Sequence, residues 1–407
     1  MINFTAWPEM IAWPYLMLNN FLPYKDIAIA HNPLMLVVLT LFYKAFGVGV
    51  NQLIVFTLLV ISLNLFLTNF VANRFWGKKV ALLTLPVYLS LMFIYEGSGL
   101  WFDLTLVPFG LLLYLFLKKK KYFLSGVVFA LGFLTKQTFI WFIIPLLFLI
   151  IKDKISFRKI LDIKLGGLIV IFIFLLILKK YGILPDYLHW AIEFGILYLP
   201  KAEGQILLPN LKSLVFSISP IVISIFNPEL FIFSFFGSMG VYPRFELFHF
   251  QPALPFVAIG LSSLVLTTKK KQIKVALALF LIVFASVGLK RQFGGNIRFY
   301  EDEVREVSDR LLNLGAKTSY VINYWDSVYA FSNTIPTVKP LIPYIPWYLN
   351  YNQSKENIIW DLKTNLPDAL VVKDKDKLNW TELEQIITRY YSCLDVKPYL
   401  SVCSLNK

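Results

Sequence analysis

The segment 118–154, KKKKYFLSGVVFALGFLTKQTFIWFIIPLLFLIIKDK, places two apolar runs between two lysine-rich ends. The runs cover about residues 122–136 and 138–151 and meet at Lys136-Gln137. Long apolar runs are typical of membrane helices, and basic loops are typical of the cytoplasmic side. The segment therefore predicts two antiparallel membrane helices that are joined on the outer side.

The composition of the whole chain supports a membrane protein. Of its 407 residues, 57% are hydrophobic and only 16% are charged, whereas soluble domains are about a quarter charged. The net charge of +14 is spread over short loops between apolar runs rather than gathered on one folded face. This distribution argues against nucleic acid as a partner and favours membrane lipids.

Ten apolar segments follow this pattern, so the predicted fold class is an all-α polytopic membrane bundle of about ten transmembrane helices with a small α/β extracytoplasmic C-terminal domain. The predicted segments are about 51–72, 78–95, 100–117, 122–136, 138–151, 165–180, 212–226, 229–243, 251–267 and 275–290. The basic loops are 74–79, 118–121, 152–164 and 269–274. Placing all four loops inside makes every helix alternate in direction.

This topology predicts three domains. Residues 1–50 form an outer-face loop with interfacial helices that holds candidate catalytic residues, 51–290 form the bundle, and 291–407 form the outer α/β domain. The apolar run 33–50 is interpreted as an interfacial or partly re-entrant helix, because counting it as a span would reverse the polarity of every later loop.

The region 291–407, here called the tail, changes to a soluble pattern. We predict a helix through 304–312, strands at 320–323 (YVIN) and 369–372 (ALVV), and a helix at 381–390. Its two cysteines, Cys393 and Cys403, either form a disulfide across a hairpin or remain free thiols.

Polar residues cluster in five places on the predicted outer side. They are 7–34, 96–103 (EGSGLWFD), 134–137 (LTKQ), 181–211 and 242–252 (YPRFELFHFQP). Ionisable residues at membrane depth are costly and are functional candidates for that reason. No phosphate-binding loop, dinucleotide fingerprint, H-E-x-x-H or G-x-S-x-G motif competes with this interpretation.

Each candidate also has a purely structural interpretation, and the sequence leaves both open. Glu9 could solvate an interfacial helix, Asp26 could form a surface ion pair with Lys25, and Lys136 could extend from a helix end to the interface. Arg244 and Glu246 could pair to fix a turn, and His249 could be an interfacial histidine with satisfied hydrogen bonds. Asp103, a few residues into a span, could orient a neighbouring helix.

In the order of these motifs the chain resembles the GT-C glycosyltransferases, the integral membrane class that includes protein O-mannosyltransferases and aminoarabinose transferases of lipid A. The matching stretches are Trp7 to Met10, Leu22 to Asp26, His31 to Leu34, Ala45 to Gly47, Gly126 to Gln137, Tyr242 to Pro255 and Pro367 to Val372. The resemblance implies transfer of a sugar from a polyprenyl-phosphate carrier to a glycan, lipid or protein acceptor on the outer face.

The resemblance also implies roles for site residues. Glu9 maps to the acid of the first outer loop, the general base of an inverting attack, and Asp26 stays open as an alternative base. The expected phosphate-binding residues are Lys25, Lys136 and Arg244. The expected sugar- or acceptor-binding residues are Tyr24, His31, Glu246, His249 and Gln251.

The chain departs from the GT-C pattern in two respects. That pattern begins with a transmembrane helix before the acidic loop, and we expect this first helix to be missing here. The usual paired acid is a lone Glu9 after Pro8, without a D-x-D pair. We therefore do not predict a required metal, leave a divalent metal open, and expect no cofactor beyond the lipid-linked donor.

The sequence leaves two alternatives to the enzyme open. A flippase or transporter of lipid-linked sugars should carry its ionisable residues near the middle of spans, and here they lie at outer helix ends. A non-catalytic membrane scaffold is the third interpretation. The expected location is the prokaryotic inner membrane, with the site and the C-terminus on the extracytoplasmic side.

Overall fold

The computed structural model describes residues 3–375 and 378–406, without the side chains of 287–289 and 291. Most of the chain is helical, and a small sheet lies near the C-terminus. The N-terminal elements are β1 (Phe4–Thr5), α1 (Pro8–Leu18) and α2 (Leu34–Phe46). Helix α1 begins with a proline whose missing N–H costs nothing at a helix start, and its Glu9 carboxylate faces the positive end of the helix dipole.

The apolar helices of the bundle coincide with the ten predicted segments. They are α3 (Val50–Trp76), α4 (Lys78–Ile94), α5 (Phe102–Lys118), α6 (Tyr122–Thr135), α7 (Ile143–Lys152), α8 (Phe157–Lys180), α10 (Leu211–Ile223), α11 (Pro228–Gly237), α12 (Leu254–Thr267) and α13 (Lys271–Gln292). The short helix α9 (Leu184–Tyr187) lies in a predicted outer loop. Short 3-10 turns extend four of them, at Gln137–Phe142, Ser224–Phe226, Met239–Val241 and Leu247–Ala253, and a π-helical segment follows α9 at Leu188–Tyr198.

Within the described residues, three helical stretches are long and apolar enough to cross a bilayer. They are Val50–Trp76, Phe157–Lys180 and Leu247–Thr267. The other apolar helices are shorter, and the number of spans remains a prediction. Helix α2 has 13 residues, about 20 Å of helix, which is too short to cross a bilayer directly.

The predicted inner loops meet at one end of the bundle. Glu229, at the start of α11, accepts hydrogen bonds from Lys118 Nζ at 3.0 Å and Lys152 Nζ at 2.7 Å through Oε1. Its Oε2 accepts from the Tyr114 hydroxyl at 2.8 Å. This carboxylate joins α5, α7 and α11 at the end that the lysine clusters mark in the sequence.

Helices α6 and α8 cross at glycine positions. A Cβ atom at Gly126 would overlap the carbonyl oxygen of Ile163, and one at Gly166 would overlap the carbonyl oxygen of Phe123. Small residues let membrane helices approach closely where lipid supplies no hydrophobic driving force between them. The crossing therefore holds α6, and the Lys136 that follows it, in place.

The tail folds into helices around one mixed sheet. Its elements are β2 (Ile297–Arg298), α14 (Asp302–Asn313), β3 (Thr318–Ile322), α15 (Val328–Phe331), β4 (Ile335–Pro336), α16 (Pro346–Leu349), α17 (Ser354–Thr364), β5 (Ala369–Lys373), α18 (Thr381–Tyr390), β6 (Tyr391–Lys397) and β7 (Leu400–Leu405). The strand order is β4-β3-β5-β7-β6, with β3 parallel to β4 and β5 and with β7 antiparallel to β5 and β6. Both predicted strands and both predicted helices are confirmed.

The two cysteines form a disulfide between the facing strands β6 and β7. The sequence had left a bond and free thiols equally open. Disulfides persist outside the reducing cytosol, so this bond agrees with an extracytoplasmic tail.

The N-terminal segment connects the tail to the bundle. Strand β1 pairs in parallel with β2 of the tail. The backbone N–H of Ala28 donates to Leu341 O, and the N–H of Leu341 donates to Asp26 O. One continuous hydrophobic core contains residues of α1, α2, α15 and β5.

Candidate active site

A polar cluster of Asp103, Lys136 and His249 lies at the predicted outer end of the bundle. Lys136 Nζ is 2.5 Å from Asp103 Oδ2 and 3.2 Å from His249 Nδ1, and the same Asp103 oxygen is 3.0 Å from His249 Nδ1. Lys136 is 3% exposed and Asp103 is 1% exposed. Burying such charges is costly, and pairing them with hydrogen bonds offsets much of that cost.

Three helix ends supply the cluster. Asp103 is in the first turn of α5, Lys136 follows the last turn of α6, and His249 lies in the 3-10 turn before α12. The suggestion that Lys136 extends to the interface is wrong, because its amino group is held inside by Asp103. Asp103, for which the sequence analysis gives a possible helix-orienting role, is not among the predicted site residues, and the structure places it beside Lys136. The signal in the sequence is a lone acid in the first turn of an apolar helix.

His249 can make only one of its two short contacts as a hydrogen bond. With a proton on Nδ1 the ring donates to Asp103, and without one Nδ1 accepts from Lys136. Its Nε2 lies 3.9 Å from Glu246 Oε2. The ring therefore connects the buried ion pair with the carboxylate of Glu246.

Glu246 in turn binds Arg244, whose Nε donates to Glu246 Oε1 at 2.8 Å, as the turn-fixing alternative predicted. The Arg244 guanidinium also lies over the Trp347 ring of the tail, 5.4 Å from its centroid. Gln251 is buried, and its Nε2 donates to Tyr95 O at 2.6 Å. Gln251 thus fixes the loop after α4.

A short strap, Ala30–Asn32, passes beside the polar cluster. Gln137 Nε2 donates to Ala30 O at 2.8 Å. Asn32 Nδ2 donates to Phe133 O at 2.5 Å, and Asn32 Oδ1 accepts from the Tyr187 hydroxyl at 2.8 Å. These bonds join the strap to α6 and α9 and fix the position of His31.

His31 stands within the electrostatic reach of the polar cluster. Its ring centroid is 4.5 Å from that of Phe102. Burial, and then the positive charge of Lys136, lower the pKa of His31 from 6.5 to about 3. His31 is therefore a neutral hydrogen-bonding group at physiological pH and not a cation.

Glu9, the predicted base, lies in the first turn of α1. Its Oε2 is buried, and within the described part of the chain it has no hydrogen-bond partner. Burial raises the pKa of Glu9 from 4.5. Such a carboxylate is more basic than an exposed one, as proton abstraction requires.

The other predicted residues of the first loop have structural contacts. Asp26 Oδ2 accepts from the Leu22 N–H at 2.8 Å, and Asp26 Oδ1 lies 3.4 Å from Lys339 Nζ of the tail, so Asp26 does not pair with Lys25. Lys25 is exposed. Tyr24 is fully buried and donates to His31 O at 2.9 Å, which supports the strap.

Two cavities of about 800 and 790 Å³ lie between the bundle and the tail, and both have Trp7, Glu96 and Arg298 in their walls. The first is also lined by Glu246 and Phe248 and therefore reaches the neighbourhood of His249. Its volume is within the range of small-molecule sites. This cavity thus borders the residues next to His249 on the tail side of the bundle.

Aromatic rings form a wall beside these cavities. The Trp7 ring centroid is 4.9 Å from that of Trp101, 5.4 Å from that of Phe248 and 5.2 Å from that of Phe299. Flat apolar faces of this kind can pack against a sugar ring. No group of three or more His, Cys, Asp or Glu side chains in the described ranges is arranged to hold a metal ion, and the question of a divalent metal stays open.

The chain is similar to known proteins in sequence and in fold. Residues 30–178 match the family model of dolichyl-phosphate-mannose-protein mannosyltransferase. The structure is similar to that of ArnT from Cupriavidus metallidurans in the apo state, with a TM-score of 0.61, 12% sequence identity, and coverage of 99% of this chain and 94% of that chain. For ArnT bound to undecaprenyl phosphate the TM-score is 0.60, at 12% identity and the same coverage. A search of curated proteins finds no match.

These findings agree with the resemblance that the sequence indicates. The segment 30–178 is similar to the mannosyltransferase family, and the whole chain has a fold similar to that of ArnT. The matched segment contains the strap and two members of the polar cluster, Asp103 and Lys136.

Proposed function

We propose that this protein transfers a sugar from a polyprenyl-phosphate carrier to an acceptor on the outer face of a prokaryotic inner membrane. The observation that carries the proposal is the buried polar cluster beside His31. Glu246 and Phe248, which are neighbours of His249 in the sequence, line a cavity of about 800 Å³. The undecaprenyl phosphate bound by the structurally similar ArnT supports a lipid-linked donor.

The cations of this region are suited to the donor phosphate. Lys136 and Arg244 are each held by a carboxylate, so their positions are set before a ligand arrives. Ammonium and guanidinium groups stabilise a phosphate best as it leaves, because its negative charge then grows. Neutral His31, with Glu246, His249 and Gln251, would orient sugar hydroxyls, and Lys25 remains a further candidate for the phosphate.

Glu9 is the base that we assign to the reaction. The acceptor oxygen attacks the anomeric carbon while Glu9 takes the hydroxyl proton, and the bond from that carbon to the phosphate oxygen breaks with its electron pair leaving on the polyprenyl phosphate. Attack opposite the leaving group inverts the anomeric centre. Asp26 is the less suitable base, because both of its carboxylate oxygens already have partners within the fold.

The test compares purified wild type with Glu9→Gln and Asp26→Asn, using labelled polyprenyl-phosphate sugars and candidate glycan, lipid and protein acceptors. Loss of a general base lowers rates by about 10²- to 10⁴-fold, which we expect for Glu9→Gln. Asp26→Asn serves as the matched control and should keep transfer within a few-fold of wild type. Full transfer by Glu9→Gln would contradict this mechanism.

The same preparation distinguishes the flippase alternative. Movement of the labelled carrier across vesicle membranes, with no sugar transfer to any acceptor, would favour a flippase and would contradict the proposed enzyme. The position of the described ionisable groups at helix ends favours transfer at the membrane surface.

A further inference from the structure

A third cavity, of about 510 Å³, lies between α3 and α4 and is here called the apolar groove. Leu58, one of the residues in its wall, is 56% exposed, so the groove is open at the surface of the bundle. Most of its wall consists of apolar side chains from the two helices. They include Ile54, Leu58, Ile61 and Leu65 of α3 and Leu89 and Phe93 of α4.

The length of the groove matches one leaflet of a bilayer. Ile54 and Leu65 are about 16 Å apart along α3, at the 1.5 Å rise per residue of an α-helix. The hydrocarbon core of a bilayer is about 30 Å thick, so one leaflet takes about half of that. Helix α3 begins at Val50, at its predicted outer end. The groove therefore has the position and the depth of a hydrocarbon chain in the outer leaflet.

At its outer end the groove adjoins the cavity of about 790 Å³ between the bundle and the tail. The β1–β2 pair lies at this junction, because Phe4 and Ile297 face each other in the ladder and both line the two cavities. The Phe4 N–H also donates to Asn296 O at 3.0 Å. The residues that line both cavities are Asn3, Phe4, Ser98, Gly295 and Ile297.

The 790 Å³ cavity has a polar wall, in contrast to the groove. Its lining combines the guanidinium groups of Arg298 and Arg305, the carboxylate of Glu301 and the amide of Asn296. A hydroxyl group both donates and accepts hydrogen bonds, so it suits a wall with donors and acceptors better than a bare anion does. The Trp7 ring adds a flat apolar face of the kind that packs against a sugar ring.

The same cavity meets the cavity of about 800 Å³ that borders the neighbours of His249. Trp7, Glu96 and Arg298 line both of them. Trp7 also stands two residues before Glu9, the proposed base. Two ligands, one in each of these cavities, would therefore meet at the wall next to the first turn of α1.

We propose that the acceptor is a lipid of the outer leaflet, with its hydrocarbon chain in the apolar groove and a hydroxyl-bearing head group in the 790 Å³ cavity. This inference rests on the proposed function and narrows its acceptor from glycan, lipid or protein to lipid. A soluble glycan or a protein acceptor has no chain to fill a groove of leaflet depth that adjoins the polar cavity.

A matched pair of variants tests the groove. Leu58 and Leu59 are neighbours on α3 and are each 56% exposed, but only Leu58 lines the groove. Leu58→Trp puts a larger side chain into the groove, and Leu59→Trp makes the same change beside it. Displacing two methylene groups of a bound chain weakens its binding about tenfold, which we expect for Leu58→Trp and not for Leu59→Trp.

Photolabelling measures occupation of the groove without transfer activity. The probe is octyl glucoside with a photoreactive diazirine on its chain, added to the full chain in lipid nanodiscs. We expect label on 54–65 and 89–93 that excess unlabelled octyl glucoside removes, whereas label on the exposed Phe172 of α8 reports only general contact with lipid. The removable label should fall about tenfold in Leu58→Trp and persist in Leu59→Trp. Equal labelling of the two variants would overturn the inference.

Transfer assays with lipid, soluble glycan and protein acceptors complete the test. We expect transfer to a lipid acceptor, lowered about tenfold at limiting acceptor by Leu58→Trp and kept at the wild-type rate by Leu59→Trp. Transfer to a soluble glycan or a protein that Leu58→Trp leaves unchanged would overturn the lipid acceptor and keep the proposed function. Specific labelling of the groove, with no transfer to any acceptor, would support the lipid site and count against the proposed function alone.

Discussion

Lys136 shows at the scale of one residue how this protein keeps a charge near the membrane. Its ammonium group lies at the end of an apolar helix, contacts Asp103 and His249, and is almost completely buried. A buried ion pair is weak evidence for stability, but its position next to the strap, which Gln137 binds through Ala30 O, fits a binding site. Asp103 holds the ammonium group in this position without a ligand.

Removal of either partner of this pair should destabilise the protein strongly. Asp103→Asn leaves the Lys136 ammonium buried without its carboxylate, and Lys136→Met leaves the carboxylate unpaired; each should lower the free energy of unfolding by about 3–5 kcal/mol. The double variant should lose clearly less than the sum of the two losses. Denaturant unfolding in detergent measures all three. Additive losses would show that the two side chains do not act as a pair.

A control for this cycle is the exposed pair His189–Glu193, whose Nδ1–Oε2 distance is 3.2 Å. Exposed pairs contribute about 0–1 kcal/mol, so Glu193→Gln should change the free energy of unfolding by no more than that.

At the scale of an element, the crossing of α6 and α8 decides where Lys136 stands. The close approach needs glycine at Gly126 and Gly166, because the facing groups are backbone carbonyls, which cannot move aside as a side chain can. The sequence shows two apolar runs here, but it does not show that these runs touch.

The variant Gly126→Val tests this contact. Its side chain would force α6 away from the Ile163 carbonyl, and overpacking of this kind costs about 1–3 kcal/mol. We expect a lower unfolding temperature together with reduced transfer, since Lys136 moves with α6. Leu124→Val, at a side chain on the same helix that is 41% exposed, should change neither property. An unchanged unfolding temperature for Gly126→Val would show that the crossing is looser than described.

At the scale of the whole molecule, the tail contacts residues of the candidate site and the first loop. Arg244 lies over Trp347 of the tail, Asp26 contacts Lys339, and β1 pairs with β2. The cavities lie where these contacts bring the tail and the bundle together. The topology predicted from the basic loops requires this whole assembly to face the outer side.

The disulfide gives a test of that topology. When thiols are alkylated in intact cells before lysis, Cys393 and Cys403 should be bonded and unreactive, because disulfides form outside the cytosol. Reduction of the purified protein should lower its free energy of unfolding by about 2–4 kcal/mol, which is seen as a lower unfolding temperature. Transfer at low temperature should persist, since β6 and β7 lie at the far edge of the sheet from β3 and β4. Full alkylation of both cysteines in cells would place the tail inside.

The sequence by itself predicted a membrane bundle, an α/β tail and their elements. Whether a segment is apolar or a loop is basic depends on its place relative to the bilayer and not on distant residues, so the ten bundle segments and the tail could be predicted one at a time. The order of the motifs from Trp7 to Val372, together with the topology, indicated the resemblance to the GT-C glycosyltransferases.

Only the tertiary structure decided which polar groups meet. Asp103 is one of several polar residues in the segment 96–103, and nothing local indicates that it lies beside Lys136. From the sequence Asp26 is a candidate base, and only the structure shows that its carboxylate contacts the Leu22 N–H and Lys339. The energies of these contacts depend on burial and distance, and both are properties of the packed chain.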